Sequence, residues 1–301
     1  MKTICFHHND ADGRASGAIV RYALGAAVTL IEVDYDGEPI PWDEVQKADR
    51  IIVVDFSFPI EDMERLADGR KMIWIDHHKS AITQLSEIAK KWDGLQSKNE
   101  AACVLTWNYF FPERPVPKAV VLIGDRDIWR WAEEETGDFT EGLYHRDNES
   151  ENDNLWRPLL DNNMSLLENI INDGHQCRMI RLQEIKRMVD ERGFGIYFEN
   201  HHTLAINTPG DGDIGQYVRD CGYDIAYCYI DKIQNGTLTT FVTIFSEMTD
   251  VSEIARKFGG GGHAGAAGFY FRRSNTPFPS SANVVWDQSK INPQKKEGDH
   301  E

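Results

Sequence analysis

Asp10 and Asp12 stand two residues apart in Thr3-Ile4-Cys5-Phe6-His7-His8-Asn9-Asp10-Ala11-Asp12-Gly13, directly behind a pair of histidines. Two carboxylates this close repel each other, and a divalent cation with oxygen and imidazole ligands is the simplest relief. The competing reading is a polar turn, since Asp and Gly are the usual turn residues. Similar knots recur along the chain. Asp55 closes the apolar run Arg50 to Val54, Asp76-His77-His78 closes Lys71 to Ile75, and Asp125-Arg126-Asp127 closes Ala119 to Gly124. In the last knot Asp125 is the expected ligand because it follows Gly124 directly at the end of the run. Asp127 is expected to orient Arg126 or a ligating histidine, with a surface ion pair as the alternative.

A parallel sheet would bring these residues together. The first run reads as a strand, and after Gly13 the residues Ala15, Ala18, Ile19, Tyr22 and Ala23 follow helical spacing. Ala27 to Val33, Arg50 to Val54 and Lys71 to Ile75 read as further strands, with a helix after Pro59 marked by Ile60, Met63, Leu66 and Ala67. Strand-helix-strand units with right-handed crossovers make the sheet parallel. The loops past the carboxyl ends of its strands then share one crevice, where open sheets bind ligands. Asp10, Asp12, Asp55 and Asp76-His77-His78 are thereby expected to converge. In the triplet, one histidine can bind metal while the other faces substrate. Asp76 could instead cap the following helix. A further helix runs through Ala102, Leu105 and Tyr109 and is ended by Pro112 and Pro115.

The chain has 301 residues, more than one core usually serves, so two domains are expected. A hydrophobic fraction of 41% suffices for packed cores, and the formal charge of -17 argues against a long, sequence-independent grip on duplex nucleic acid. Five cysteines without a Cys-x-x-Cys pair fit reduced thiols. The chain shows neither a signal-peptide pattern nor a membrane-length apolar run, so a cytoplasmic location and no membrane partner are expected. The acidic stretch from Glu133 to Asn163 reads as solvated loop. The first domain therefore covers 1–160, and a helical connector follows over 161–193. Its Arg and Lys residues either line an inter-domain cleft or form a solvated helix face.

The second domain, 194–272, reads as strands at Gly195 to Phe198, Thr203 to Ile206, Asp224 to Ile230 and Leu238 to Phe245, then a short helix from Val251 to Phe258. Gly259-Gly260-Gly261-Gly262-His263 follows. Glycine runs weaken helices and strands, but they suit backbone amides that approach an anionic ligand, and His263 adds a donor to phosphate. Residues 273–301 are rich in Ser, Pro, Asn and Lys and read as a flexible tail.

His8-x-Asp10-x-Asp12-Gly13, Asp55, Asp76-His77-His78 and Asp125, in this order, resemble the motifs of the DHH phosphoesterases, and the glycine run with His263 and Ala266-Ala267-Gly268 resembles their C-terminal DHH-associated domain. The resemblance spans most of residues 1 to 272. It implies an α/β fold: a parallel-sheet DHH domain and a smaller α/β DHH-associated domain with a cleft between them. It also implies two divalent metal ions, usually manganese, on His8, Asp10, Asp12, Asp55, His77 and Asp125, with Asp55 bridging. Asp76 would support His77, His78 would face the scissile phosphate, and Gly260, Gly261, Gly262 and His263 would hold substrate. Two positions depart from the pattern. Some relatives place a metal-binding histidine where this chain has Phe6, a duty His8 would take over, and many carry a substrate-binding arginine that Ile244-Phe245-Ser246-Glu247 lacks.

The expected activity is metal-assisted hydrolysis of short oligonucleotides or dinucleotides to mononucleotides, a partner choice that suits the acidic composition. A RecJ-like single-strand exonuclease, a cyclic-dinucleotide phosphodiesterase and a non-catalytic nucleotide sensor stay open, as does a homodimer. Pyrophosphate or polyphosphate hydrolysis is disfavoured, because a second domain with a glycine-rich loop suits a larger ligand.

Overall fold

The computed structural model describes residues 1–35 and 37–287. The chain divides into two compact units, Met1–Arg178 and the part from Met179 onward.

In the first unit the apolar runs form a four-stranded parallel sheet, as expected. Its strands are β1 (Thr3–His8), β2 (Thr29–Val33), β3 (Arg50–Val54) and β4 (Lys71–Ile75), in the order β2-β1-β3-β4. The runs are nearly continuous in apolar residues because the central strands are covered on both faces. Ile4, Phe6, Ile51, Val53, Met72 and Trp74 point to one side, packed against α3 (Ile60–Ala67) and α4 (Lys79–Ala89) through Met63, Leu66 and Leu85. Cys5, Ile52, Val54, Ile73 and Ile75 point to the other, toward Val20 of α1 (Ala11–Leu24) and Leu105 of α5 (Ala102–Phe110). A one-turn helix, α2 (Trp42–Val45), precedes β3.

Beyond α1 and α5 lies a helical layer of α6 (Lys118–Asp127), α7 (Thr136–Tyr144), α8 (Asp153–Leu160) and the start of α9 (Met164–Arg192). This corrects the solvated-loop reading of residues 133–163. Phe139, Leu143, Leu155, Trp156, Leu159 and Leu160 are all buried, at helical spacings of three and four residues. The acidic runs before and between α7 and α8 masked that pattern. The division between units falls inside α9, one unbroken helix through Gly174, rather than on either side of a separate connector.

The second unit holds a seven-stranded mixed sheet in the order β11-β5-β6-β7-β8-β10-β9, formed by β5 (Phe194–Phe198), β6 (His201–Asn207), β7 (Ile225–Gln234), β8 (Thr237–Phe245), β9 (Gly261–Gly262), β10 (Ala266–Arg272) and β11 (Val284–Trp286). Only β6 and β7 pair in parallel, with α10 (Gly212–Asp220) as their crossover. Ile196, Phe198, Tyr227, Val242, Ile244 and Phe269 pack against α11 (Val251–Lys257). The flexible tail expected from residue 273 is corrected over 273–287. Phe278 is buried in this core, and β11 adds an antiparallel strand to β5. The rest of that tail, residues 288–301, lies outside the described residues.

Candidate metal centre

The carboxyl ends of β1, β3 and β4 and the end of α6 deliver side chains to one cluster. His8 ends β1, and its Nδ1 lies 2.8 Å from Asp10 Oδ2. Asp10 is the N-cap of α1 and accepts the Gly13 amide at 2.9 Å. Burial pushes the Asp10 carboxyl up, but His8 and Gly13 outweigh it and hold the group at about 2. Asp12 is buried and accepts the amides of Ala102 and Cys103 at 2.8 and 2.7 Å. These are orphan donors at the start of α5, where Ala101 supplies no side-chain cap. Asp12 thus fastens that helix to the cluster.

Asp55 follows β3 with φ 54, is 1% exposed, and neither of its oxygens is met by a hydrogen-bond donor from the fold. Its Oδ1 lies 3.3 Å from His77 Nε2, and its Oδ2 lies 3.9 Å from His8 Nδ1. Burial, then the charges of Asp12, Asp10 and Asp127, push the Asp55 carboxyl well above the usual carboxylate range. A native fold rarely leaves a buried carboxylate without donors, and a metal-binding role accounts for it.

Asp76 accepts the His77 and His78 amides at 2.7 and 3.1 Å, His78 Nδ1 at 2.7 Å and the Ser57 hydroxyl at 2.6 Å. Burial pushes Asp76 up, and these bonds overcome it, leaving the group below its usual range. Asp76 therefore supports His77 through the His77 backbone amide and in addition holds the His78 ring. Burial likewise pushes His78 down, while Asp76 more than compensates and leaves the imidazole raised. His77 Nε2 sits 3.3 Å from Asp127 Oδ2 and 3.7 Å from Asp12 Oδ2.

Asp125 does not join the cluster, which corrects the sequence reading. Its oxygens accept the Ala132 amide at 2.9 Å, the Glu133 amide at 3.2 Å and the Thr136 hydroxyl at 2.5 Å. Asp127 takes the expected place, with a buried Oδ2 that no hydrogen bond meets. Residues 125 and 127 are about 200° apart on α6, so they project to different sides. Apolar phase does not choose between them: Asp127 lies three, four and seven residues after buried Gly124, Ile123 and Val120, but Asp125 lies three after buried Leu122 and is itself buried.

Asp125 instead secures the turn after α6. In that turn Trp129 and Trp131 adopt φ 58 and 53, conformations that cost bulky residues about 1–3 kcal/mol each. Arg130 anchors the same turn to the Asn99 carbonyl at 2.8 Å and to Glu100 at 3.2 Å.

Two groups of ligand atoms result, each within 4.8 Å internally: His8, Asp10 and Asp55, and Asp12, His77 and Asp127. Asp55 also groups with His77 and His78. Imidazole and carboxylate donors suit a divalent ion, and the orphaned oxygens of Asp55 and Asp127 fit one. Phe6 is fully buried on the core side, in edge contact with Phe58 at 5.3 Å, and no ligand.

The electrostatics carry a sign. Burial and then the charges of Asp12 and Asp10 push Asp127 from an ordinary 3.8 up to about 9. Without metal the folded protein therefore keeps a proton that the unfolded chain has lost between about pH 4 and 9, and stability falls as pH rises through that window. A divalent ion bound there would replace the proton. Added manganese should raise the unfolding temperature more at pH 8 than at pH 5, as scanning calorimetry would read directly; an equal rise at both would remove the coupling.

A parallel sheet thus carries the carboxylate-histidine cluster at its strand ends, together with the end of α6. No family model matches the chain. It is 26% identical over 300 residues to the uncharacterized protein R106 of Acanthamoeba polyphaga mimivirus, covering 90% of this chain and 68% of that one. It is 24% identical over 299 residues to oligoribonuclease NrnB of Bacillus subtilis, covering 87% and 71%. Among solved structures, the DHH domain of a protein described as a member of a ribosomal-protein family aligns with a TM-score of 0.56 at 14% identity, over 89% of this chain and 82% of that one. The chain has the fold of a DHH domain.

Proposed function

We propose that the protein is a manganese-dependent phosphodiesterase that hydrolyses short oligonucleotides or dinucleotides to mononucleotides. The observation that carries this reading is the pair of ligand groups that meet where Asp55 Oδ1 lies 3.3 Å from His77 Nε2, with the Asp55 oxygens left without donors by the fold. Two divalent ions bound there would supply positive charge for the phosphoryl oxygens and an acidified water. His8, Asp10 and Asp55 would hold one ion, and Asp12, His77, Asp127 and Asp55 the other. Asp76 fixes the His78 imidazole through Nδ1 and favours its protonated form, so the partly exposed ring is ready to donate to a phosphoryl oxygen.

The charge of -17 and the similarity to a protein named as an oligoribonuclease support short substrates. The five free cysteines support a reducing compartment, the cytoplasm. Among the described residues no helix is long and apolar enough to cross a membrane.

The glycine-rich segment is assigned to substrate binding within the second unit, and its glycines divide by cause. A Cβ on Gly260 would lie 2.0 Å from the Gly268 carbonyl, and one on Gly262 2.6 Å from that of Ala266, so the fold itself requires both. A Cβ on Gly261 would meet nothing within 4 Å. Gly260→Ala should therefore lower the unfolding temperature. Gly261→Ala should leave it unchanged and raise KM for a dinucleotide about tenfold, the cost of one obstructed contact at ~1.4 kcal/mol. An unchanged KM would place the anion elsewhere.

The test of function is hydrolysis in manganese of a dinucleotide, a five-nucleotide RNA, a long single-stranded DNA, a cyclic dinucleotide and pyrophosphate, each against Asp55→Ala. Preference for the two short linear substrates, lost in the variant, is expected. Preference for the long strand or the cyclic compound would replace the proposed substrate class, and activity on none would leave a nucleotide sensor.

A further inference from the structure

Two exposed aromatic rings lie close to the ligand groups, in space or along the chain: Tyr35 beside His8, and Trp131 four residues after Asp127. Past β2, Tyr35 is 61% exposed, with its ring 5.8 Å from the His8 imidazole and 4.6 Å from Phe56.

Past α6, Trp131 is 36% exposed and meets Trp129 edge-on at 5.3 Å. The Arg126 guanidinium lies 4.3 Å over Trp129 and 5.1 Å over Trp131. Its charge also acts on the neighbouring Asp127 carboxyl. Neither Tyr35 nor Trp131 belongs to the hydrophobic cores described above. Trp131 is moreover kept in left-handed backbone, which bulky side chains avoid, by a turn tied down at Asp125 and Arg130. A ring exposed at that cost, beside a charged cluster, calls for a planar partner.

We propose that Tyr35 and Trp131 are stacking platforms for the two bases that flank the scissile phosphodiester, so that the dinucleotide is the unit the first unit of this chain holds. The inference rests on the phosphodiesterase reading above. A phosphate centred on Asp55 would send one nucleoside toward the His8 group, where the Tyr35 ring stands, and the other toward the Asp127 group, from which Arg126 leads to the Trp131 ring. Stacking on aromatic faces tolerates any base, which suits degradation without sequence preference. Arg126 and Trp129 position Trp131 rather than read the base.

The experiment is equilibrium binding in calcium, with turnover checked to be absent, of 5′-phosphorylated diadenylate and of the same molecule lacking the 5′ base, the 3′ base or both. Wild-type protein should lose roughly tenfold or more in affinity for each base removed. Tyr35→Ala should weaken diadenylate about tenfold while leaving one singly abasic probe unaffected, and Trp131→Ala should do the same with the other probe. Tyr35→Phe and Trp131→Phe, which keep the rings, should retain the base dependence and guard against mere misfolding. Effects that follow the same base in both variants, or that weaken the doubly abasic probe as much as diadenylate, would overturn the proposal. Base-dependent binding without hydrolysis of any substrate in the panel would keep the platforms and remove the phosphodiesterase. Hydrolysis with variants that track neither base would do the reverse, and failure to bind any probe would remove both.

Discussion

Asp55→Asn abolishes hydrolysis and, in the absence of metal, raises stability. The two effects share one cause. Asp55 is buried, lacks donors, and faces the charges of Asp12, Asp10, Asp127 and Asp76. An amide of the same shape removes that repulsion and keeps the left-handed backbone at φ 54, which Asn tolerates well. A gain of about 1–2 kcal/mol in the chelated protein corresponds to roughly 2–8 °C in unfolding temperature. Activity should fall by about a thousandfold or more, since several kcal/mol of charge stabilisation go with the shared ligand. Calorimetry in a chelator and the dinucleotide assay read the two halves separately. A variant less stable than wild type without metal would mean that the fold does satisfy Asp55 after all.

The second large effect separates two carboxylates on one helix. Asp127→Asn should cost at least a hundredfold in hydrolysis and weaken manganese binding by tenfold or more, with the metal-free fold more stable than before, because the amide relieves the repulsion from Asp12 and Asp10 and Oδ2 has no hydrogen-bond partner to lose. Asp125→Asn should do the opposite. It leaves the Glu133 amide or the Thr136 hydroxyl facing an NH2 group, a loss of about 1–3 kcal/mol, while manganese titrates normally. If Asp125→Asn instead lost metal at unchanged stability, the sequence-based choice of ligand would be reinstated.

That choice shows where sequence reasoning reached its limit. The parallel sheet was legible because β1, β3 and β4 are covered on both faces, and such strands appear as unbroken apolar runs ending at Asp or His. His8, Asp10, Asp12, Asp55, His77 and His78 could be gathered on that basis alone. Asp125 and Asp127 could not be told apart by adjacency to a run, because the run is the helix α6, on which both follow buried positions; the hydrogen bonds that occupy Asp125 decide, and these appear only in the fold. The helices α7 and α8 were hidden for a different reason. Their apolar positions are few and are diluted by acidic runs, so charge density suggested solvent where Trp156 and Phe139 are in fact buried. The late strand β11 gave no signal either, since three residues are too short for any period to register.

Asp12, unlike Asp55 and Asp127, serves two masters, the ligand group and the first amides of α5. In a descendant of this chain released from selection for catalysis, Asp55 and Asp127 would be lost early, because each is a standing strain on the fold. Asp12 would persist, held in place by the helix it caps. A lone aspartate surviving at that position would then be a fossil of architecture, and no sign of a living active site.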